Sequence, residues 1–180
     1  SELPKLFQNT FSEIYPFLLQ KKTTKSQKLY FKLEIYKKLF DALFPNLSIS
    51  ENIVFNGNIN SFDGKSQVFF DTPFFRYKDI ELENLHLQVD TKNSFYNTFL
   101  SIENITNGNY GAKEFNLIST KFRDTLFFRS EFERAKDSKD SFELNFYHTQ
   151  EANGTFHLGL SKSIIPLGKD SWILNQNDIS

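Results

Sequence analysis

The sequence has 180 residues, with 21 basic and 22 acidic side chains and a formal net charge of −1. It contains no Cys, which excludes disulfides, thiolate metal ligands and a thiol nucleophile. The balanced charge gives no basic field of the kind that nucleic-acid-binding proteins carry, so no nucleic-acid partner is predicted.

The chain has no Met and begins with Ser1, which predicts that it is a segment of a longer protein, with a processed chain as the alternative. No apolar run approaches the roughly 18 residues needed to cross a bilayer. Any signal or membrane anchor is therefore expected to lie outside this segment.

The first 20 residues predict a short helix at about residues 5–15, because Leu6, Phe7, Phe11 and Ile14 recur at helical spacing. A polar, Lys-rich linker follows at residues 21–28. We interpret residues 1–28 as this helix and its linker, and residues 29–180 as a β-rich segment.

The β-rich segment begins with "LYFKLEI" (29–35), where apolar and polar side chains alternate as in a strand. Residues 36–44 then show helical spacing and stop at Pro45, which predicts a second short helix. We expect this helix to pack against the sheet near one end, because it is too short to be stable alone.

From Leu47 onward the sequence predicts strand after strand and no further helix. Pro73 is expected to mark a break or a sheet edge. The alternation changes phase between Leu82 and Leu85, which predicts a β-bulge at Glu83–Asn84. The residues therefore predict a wide antiparallel meander, which must fold over, continue, or close into a barrel or sandwich.

Residues 124–160 show the clearest alternation, with apolar side chains at even positions and mostly charged or polar ones at odd positions. We expect the even-numbered residues to line one surface. These candidate site residues are Leu126, Phe128, Phe132, Phe142, Leu144, Phe146, Phe156, Leu158 and Leu160.

The sequence carries no motif that indicates catalysis. His86, His148 and His157 lack the spacing of metal ligands, and no nucleophile elbow or phosphate-binding loop is present. We therefore predict neither an enzyme nor a cofactor or metal site.

Two stretches resemble the TamB family of translocation and assembly module proteins, which belongs to the bridge-like lipid transfer superfamily. The first is residues 29–57, with a strand, a helix, "LFPNL" and a strand in that order; the second is residues 124–175, with "DTLFFRSEF", "LNFYHT" and a "KS…W" ending. The resemblance covers about two-thirds of the chain.

The resemblance implies a fold and a function. It implies that the sheet forms an open, U-shaped trough, called a β-taco, whose apolar lining shields phospholipid acyl chains between the inner and outer membranes. It also implies a periplasmic location, an inner-membrane anchor outside this segment, and an outer-membrane Omp85-type barrel (TamA-like) as partner. The nine candidate residues would line the lipid groove.

Two other functions stay open at the sequence level. A closed barrel would be a soluble carrier that binds one apolar ligand per chain. A structural scaffold for outer-membrane protein assembly would bind no lipid and would bury the apolar surface against neighbouring domains.

Overall fold

The computed structural model describes residues 3–15, 17–21, 26–51, 53–135, 140–151 and 153–176. These residues form two helices and twelve strands. The helices are α1 (Leu3–Ile14) and α2 (Lys37–Leu43). The strands are β1 (Lys28–Glu34), β2 (Leu47–Ile49), β3 (Val54–Asn60), β4 (Lys65–Tyr77), β5 (Ile80–Asp90), β6 (Thr98–Asn107), β7 (Tyr110–Phe122), β8 (Thr125–Arg134), β9 (Ser141–Gln150), β10 (Phe156–Leu160), β11 (Ser163–Leu167) and β12 (Asp170–Leu174).

The strands form one antiparallel sheet in the order β1-β3-β4-β5-β6-β7-β8-β9-β11-β12. β2 pairs with β4, and β10 pairs with β9 beside β11. The predicted wide meander is confirmed. The alternative of a closed barrel is wrong, because the edge strands β1 and β12 do not pair with each other, and the alternative of a sandwich is wrong, because the described strands form one sheet and not two.

Both predicted short helices are present. α1 and α2 begin and end within two residues of the predicted bounds. α2 ends before Pro45, where the Phe44 amide donates a hydrogen bond to the Phe40 carbonyl. α2 contacts the neighbouring strand β2, at one end of the sheet. Residues 22–25 of the predicted linker lie outside the described residues.

Strand pairing assigns each side chain to one of two faces, because directly opposed residues point to the same side. One face, the apolar face, carries Leu, Ile, Val or Phe on every strand from β3 to β10 and also on β1 and β2. The other, the polar face, carries most of the charged side chains, with Phe127 and Tyr147 among its exceptions.

The predicted phase change at Glu83–Asn84 is present and extends across four strands. Asn84 lies opposite Pro73 of β4 and Glu103 of β6, and Glu103 lies opposite Glu114 of β7. Asn84 and Glu114 have positive φ angles of 50° and 52°. We call this row of four residues the crease.

The same face of the sheet is apolar before and after the crease along each strand. Leu82 pairs with Ile105 and Leu85 with Ile102, so leucines three residues apart point the same way. At the boundary between β7 and β8 the extra residue has no counterpart, and the register shifts there as a β-bulge between Lys113 and Asn116.

Of the two outcomes expected for Pro73, the break in the strand is wrong, whereas a local sheet edge is present. β4 runs through it, with Thr72 paired to Leu85 and Phe74 to Glu83. Pro73 is accommodated because it lies in the gap between the two partners on the other edge of β4: the pairs with β3 end at Asp71, and those with β2 begin at Phe75.

Candidate functional site

The register places all nine sequence-predicted site residues on the apolar face. Phe128 pairs with Phe146 and Phe132 with Phe142, between β8 and β9. Leu160 of β10 pairs with Phe146 from the other side of β9. Of the remaining members, Leu126 and Leu158 lie on either side of His148, Phe156 lies opposite Gln150, and Leu144 lies opposite Ser130.

Two pairs of stacked rings cross the β8–β9 hairpin. The rings of Phe128 and Phe146 have centroids 4.6 Å apart and planes 15° from parallel. Those of Phe132 and Phe142 are 4.9 Å apart and 1° from parallel. The apolar face therefore carries two stacked aromatic pairs between β8 and β9. Each pair stabilises the hairpin by more than the burial of its apolar area alone.

Burial of the nine residues falls from β8 toward β10. Leu126 is 5% exposed, the three residues of β9 and the phenylalanines of β8 are partly buried, and Leu158 is 74% exposed. A sealed core would bury these side chains throughout. This part of the apolar face is therefore accessible to an apolar molecule.

The apolar face extends well beyond the residues that the sequence singled out. Phe55 and Phe70 contact across β3 and β4 with ring centroids 6.1 Å apart, and Phe115 meets Phe132 at the same distance. The alternation within each strand predicts these apolar positions. The phase change at the crease prevents the sequence from showing that they lie on the same face. The further members are Leu29, Phe31, Leu33, Leu47, Ile49, Phe55, Ile59, Val68, Phe70, Phe75, Ile80, Leu82, Leu85, Leu87, Val89, Leu100, Ile102, Ile105, Phe115 and Leu117.

Helix α1 lies across one end of this face. The hydroxyls of Thr10 and Ser66 share a buried 3.1 Å hydrogen bond, and the Lys121 ammonium donates to the Ser12 carbonyl at 3.1 Å. Ser66 and Lys121 both belong to the apolar side of the sheet. Leu6 is almost fully buried at the contact. We call this end of the sheet the helix end.

An aromatic cluster extends the contact to the last strands. Phe17 meets His148 of β9 at 4.8 Å and Phe156 of β10 at 5.3 Å, measured between ring centroids. Tyr15 packs on Phe17 and His148. The helix and the residues after it thus contact the apolar face from β4 to β10.

The polar face holds a cleft of about 480 Å³ between the β5–β6 connection and the residues that join β10 to β11. Arg129 and Asn145 are paired neighbours among its lining residues, with Phe95, Phe127 and Ile164 around them. The Asn145 side-chain nitrogen donates to Glu143 and to the Lys162 carbonyl, whereas the buried Asn145 side-chain oxygen has no hydrogen-bond partner among the described residues.

Side chains that could perform acid–base or metal chemistry are dispersed over the described residues. His86 contacts Asp71, His157 pairs with Glu151 at 2.9 Å, and His148 belongs to the aromatic cluster. No three His, Asp or Glu side chains of the described segments are placed to hold a metal ion. Among the described residues, the candidate functional site is therefore the apolar face.

Within the described parts of the chain, neither helix is long and apolar enough to cross a membrane. No protein-family model matches the sequence, and no curated protein or solved structure matches it either.

Proposed function

We propose that this chain is a segment of a periplasm-spanning protein whose sheet forms an open, U-shaped trough that shields phospholipid acyl chains between the inner and outer membranes. The observation that carries the proposal is one apolar face continuing across an open sheet. Transfer of an acyl chain from water onto such a face is favourable by about 0.8 kcal/mol per CH₂. A chain that stays on the face can move along it without being exposed to water again.

The contacts of α1 support a sheet that curves around the helix. Thr10 and Ser12 are both buried. The Thr10 hydroxyl bonds Ser66 of β4, and the main-chain carbonyl of Ser12 accepts a hydrogen bond from the Lys121 ammonium of β7. One short helix thus contacts strands three positions apart, which a flat sheet would separate by about 14 Å and a trough would bring closer to the helix.

The pattern of exposure supports an accessible groove. Phe156, Leu158 and Leu160 are exposed on the same face as the stacked phenylalanines. Exposed apolar area of this extent is typical of surfaces that bind apolar ligands, proteins or membranes. In the proposed trough the acyl chains lie on these side chains, while the headgroups stay in water at the open side of the trough.

The inner-membrane anchor, the periplasmic location and the Omp85-type barrel partner follow from the family resemblance alone and form part of the proposal. A scaffold for outer-membrane protein assembly is the second candidate, since an exposed apolar face can also pack on a neighbouring domain. The two differ in one property: a conduit retains lipid after purification, whereas a scaffold does not. Mass spectrometry of organic extracts of the purified protein measures that property.

A matched pair of substitutions tests the proposal directly. A photoreactive residue replaces Phe128, and the protein is crosslinked to phospholipid with either Phe146→Glu or Tyr147→Glu present. Phe146 lies on the apolar face and Tyr147 beside it on the polar face. A carboxylate in an apolar groove resists desolvation by several kcal/mol, so Phe146→Glu should abolish the lipid adduct and Tyr147→Glu should retain it.

Circular dichroism is measured on both variants. If Phe146→Glu unfolds the protein, Phe146 belongs to a closed core and the groove interpretation fails. If the parent protein forms no lipid adduct, the lipid function itself is overturned.

A further inference from the structure

Three turns at the helix end each expose a phenylalanine ring. Phe62 lies between β3 and β4, Phe95 between β5 and β6, and Phe122 ends β7 at its turn to β8; these residues are 78%, 80% and 62% exposed. Loop tips are ordinarily polar. At the opposite end, the tips of three described turns are polar, with Lys78–Asp79, Gly108–Asn109 and Gly168–Lys169. The exposed side chains of Tyr77, Tyr110 and Leu167 there belong to strand ends, as Phe122 does.

The same local device holds two of the three phenylalanines. The Asn60 side-chain carbonyl accepts a hydrogen bond from the Phe62 amide at 3.0 Å, and that of Asn93 accepts one from the Phe95 amide at 2.8 Å. Each is an Asx turn, which fixes the backbone that carries the ring. Less conformational entropy is therefore lost when the ring is buried against a partner.

The third phenylalanine is held by its turn. Arg123 adopts a positive φ of 53°, and its guanidinium lies over the Phe122 ring at 5.1 Å. An arginine beside an exposed aromatic ring is the combination that suits the boundary between lipid headgroups and acyl chains, because the ring can enter the apolar layer while the guanidinium reaches phosphate.

The spacing of the rings bears on what they contact. Successive turns at this end are two strands apart, so the turns that carry the three rings form a row with steps of about 10 Å. The Phe95 ring also borders the polar-face cleft. Separate protruding rings need one matching pocket each on a folded protein, whereas a fluid acyl layer accepts them in any arrangement. We propose that this row, Phe62, Phe95 and Phe122, inserts into the interface of a phospholipid bilayer and docks the helix end of the sheet on a membrane.

The charges on these turns define the kind of membrane. The three turns and their flanking residues carry Lys65, Lys92 and Arg123 together with Asp63 and Asp124, a near balance of three cations against two anions. Attachment is therefore driven by ring insertion and needs no anionic lipid. This membrane docking goes beyond the proposed lipid transport and does not depend on it, because the rings lie on the turns and not on the groove.

Co-sedimentation with phosphatidylcholine vesicles tests the proposal. We expect the parent protein to bind, with little change between low and high salt. The triple variant Phe62→Ser, Phe95→Ser, Phe122→Ser should bind about 1000-fold more weakly, taking about tenfold for each of the three inserted rings. The matched control is Tyr77→Ser, Tyr110→Ser, Leu167→Ser at the opposite end, which should bind within about threefold of the parent.

A second measurement reports insertion itself. With Trp172→Phe as background, a tryptophan placed by Phe62→Trp should be quenched by vesicles of brominated phosphatidylcholine, and Trp172 of the parent should not. Phe146→Glu should leave vesicle binding intact even where it abolishes the acyl-chain adduct, so failure of docking and failure of the groove are distinguishable.

Three results would overturn the docking proposal: no vesicle binding by the parent, unchanged binding by the folded triple variant, or equal loss in the control. If the serine substitutions instead convert a dimer into a monomer in sedimentation velocity, a second copy of the chain is the partner and the membrane assignment is wrong.

Discussion

Strands β4 to β7 carry the crease, whereas β8 and β9 alternate without interruption. In the hairpin, pairs such as Phe128 with Phe146 follow one another at every second position. Across the crease, Leu82 and Leu85 are three residues apart and still share a side with their partners on β6. An apolar face can therefore survive a change of phase, provided that neighbouring strands change phase at the same level.

The comparison also shows where the irregularity ends. The β5–β6 pairs keep one-to-one register through the crease because both strands carry the extra residue, while β8 lacks it and a bulge forms against β7. The crease and its bulge thus separate the irregular strands β4 to β7 from the regular strands β8 and β9. The stability of variants in each region tests this difference.

Deletion of Asn84 should have the largest effect. It would turn Leu85, Leu87 and Val89, or else Ile80 and Leu82, to the polar face, at about 1.5–3 kcal/mol for each buried side chain. We expect the free energy of unfolding to fall by roughly 5 kcal/mol or more, which unfolds most domains of this size. Urea unfolding followed by circular dichroism measures it. Asn84→Gly keeps the chain length and should fold; a stably folded deletion variant would show that the crease is incidental.

Leu126→Ala tests the regular region. Leu126 is the most buried of the nine predicted site residues, so its truncation should lower the free energy of unfolding by about 2–4 kcal/mol. Leu158→Ala, on the same face but exposed, should change it by less than about 0.5 kcal/mol. Equal effects at the two positions would mean that the exposure gradient from β8 to β10 does not exist in solution.

Double-mutant cycles compare ring contacts within the hairpin and across the bulge. Phe132 stacks on Phe142 in nearly parallel planes, but meets Phe115 at a tilt of 37° with centroids 6.1 Å apart. Replacement by Leu should give a coupling energy of about 0.5–1.5 kcal/mol for the first pair and a smaller one for the second. The reverse order would contradict the stacking geometry.

Glycine substitutions should have the smallest effects, with opposite signs in the two regions. Glu114 has a φ of 52° inside β7, so Glu114→Gly should raise the free energy of unfolding by about 0.5–1 kcal/mol. Arg129 lies in the regular strand β8 and has no positive φ, so Arg129→Gly should lower it by a similar amount. Thermal unfolding of both variants is sufficient, and equal signs would mean that Glu114 is unstrained.

The hairpin could be predicted from the sequence because two-residue periodicity reports on one strand at a time. The phase change at Glu83–Asn84 was visible for the same reason, since Leu82 and Leu85 lie in a single strand. The rest of the crease was not, because Glu103 and Glu114 become meaningful only once the strands are paired. A proline among alternating residues indicates either a break or a sheet edge, and the gap between β3 and β2 that accommodates Pro73 becomes visible only once the strands are paired.

The position of α1 was equally hidden. Helical spacing of Leu6, Phe11 and Ile14 indicates that a helix forms, but its partners on the sheet are far away in sequence. The nine apolar residues were predictable as a set. Their differing exposure was not, because it depends on β10 and β11 pairing with different parts of the same edge of β9.

The contacts of α1 also set an order of folding. Each strand from β3 to β9 pairs with the next through a short connection, so the meander can grow by local steps as the chain is synthesised. Ser12, by contrast, meets Lys121 across 109 residues, and Phe17 meets Phe156. The first helix of this segment to be synthesised is thus the last of its elements to reach its place. Until β10 has formed, the apolar face is without part of its cover, and a chaperone that holds extended apolar surfaces has its longest opportunity to bind in that interval.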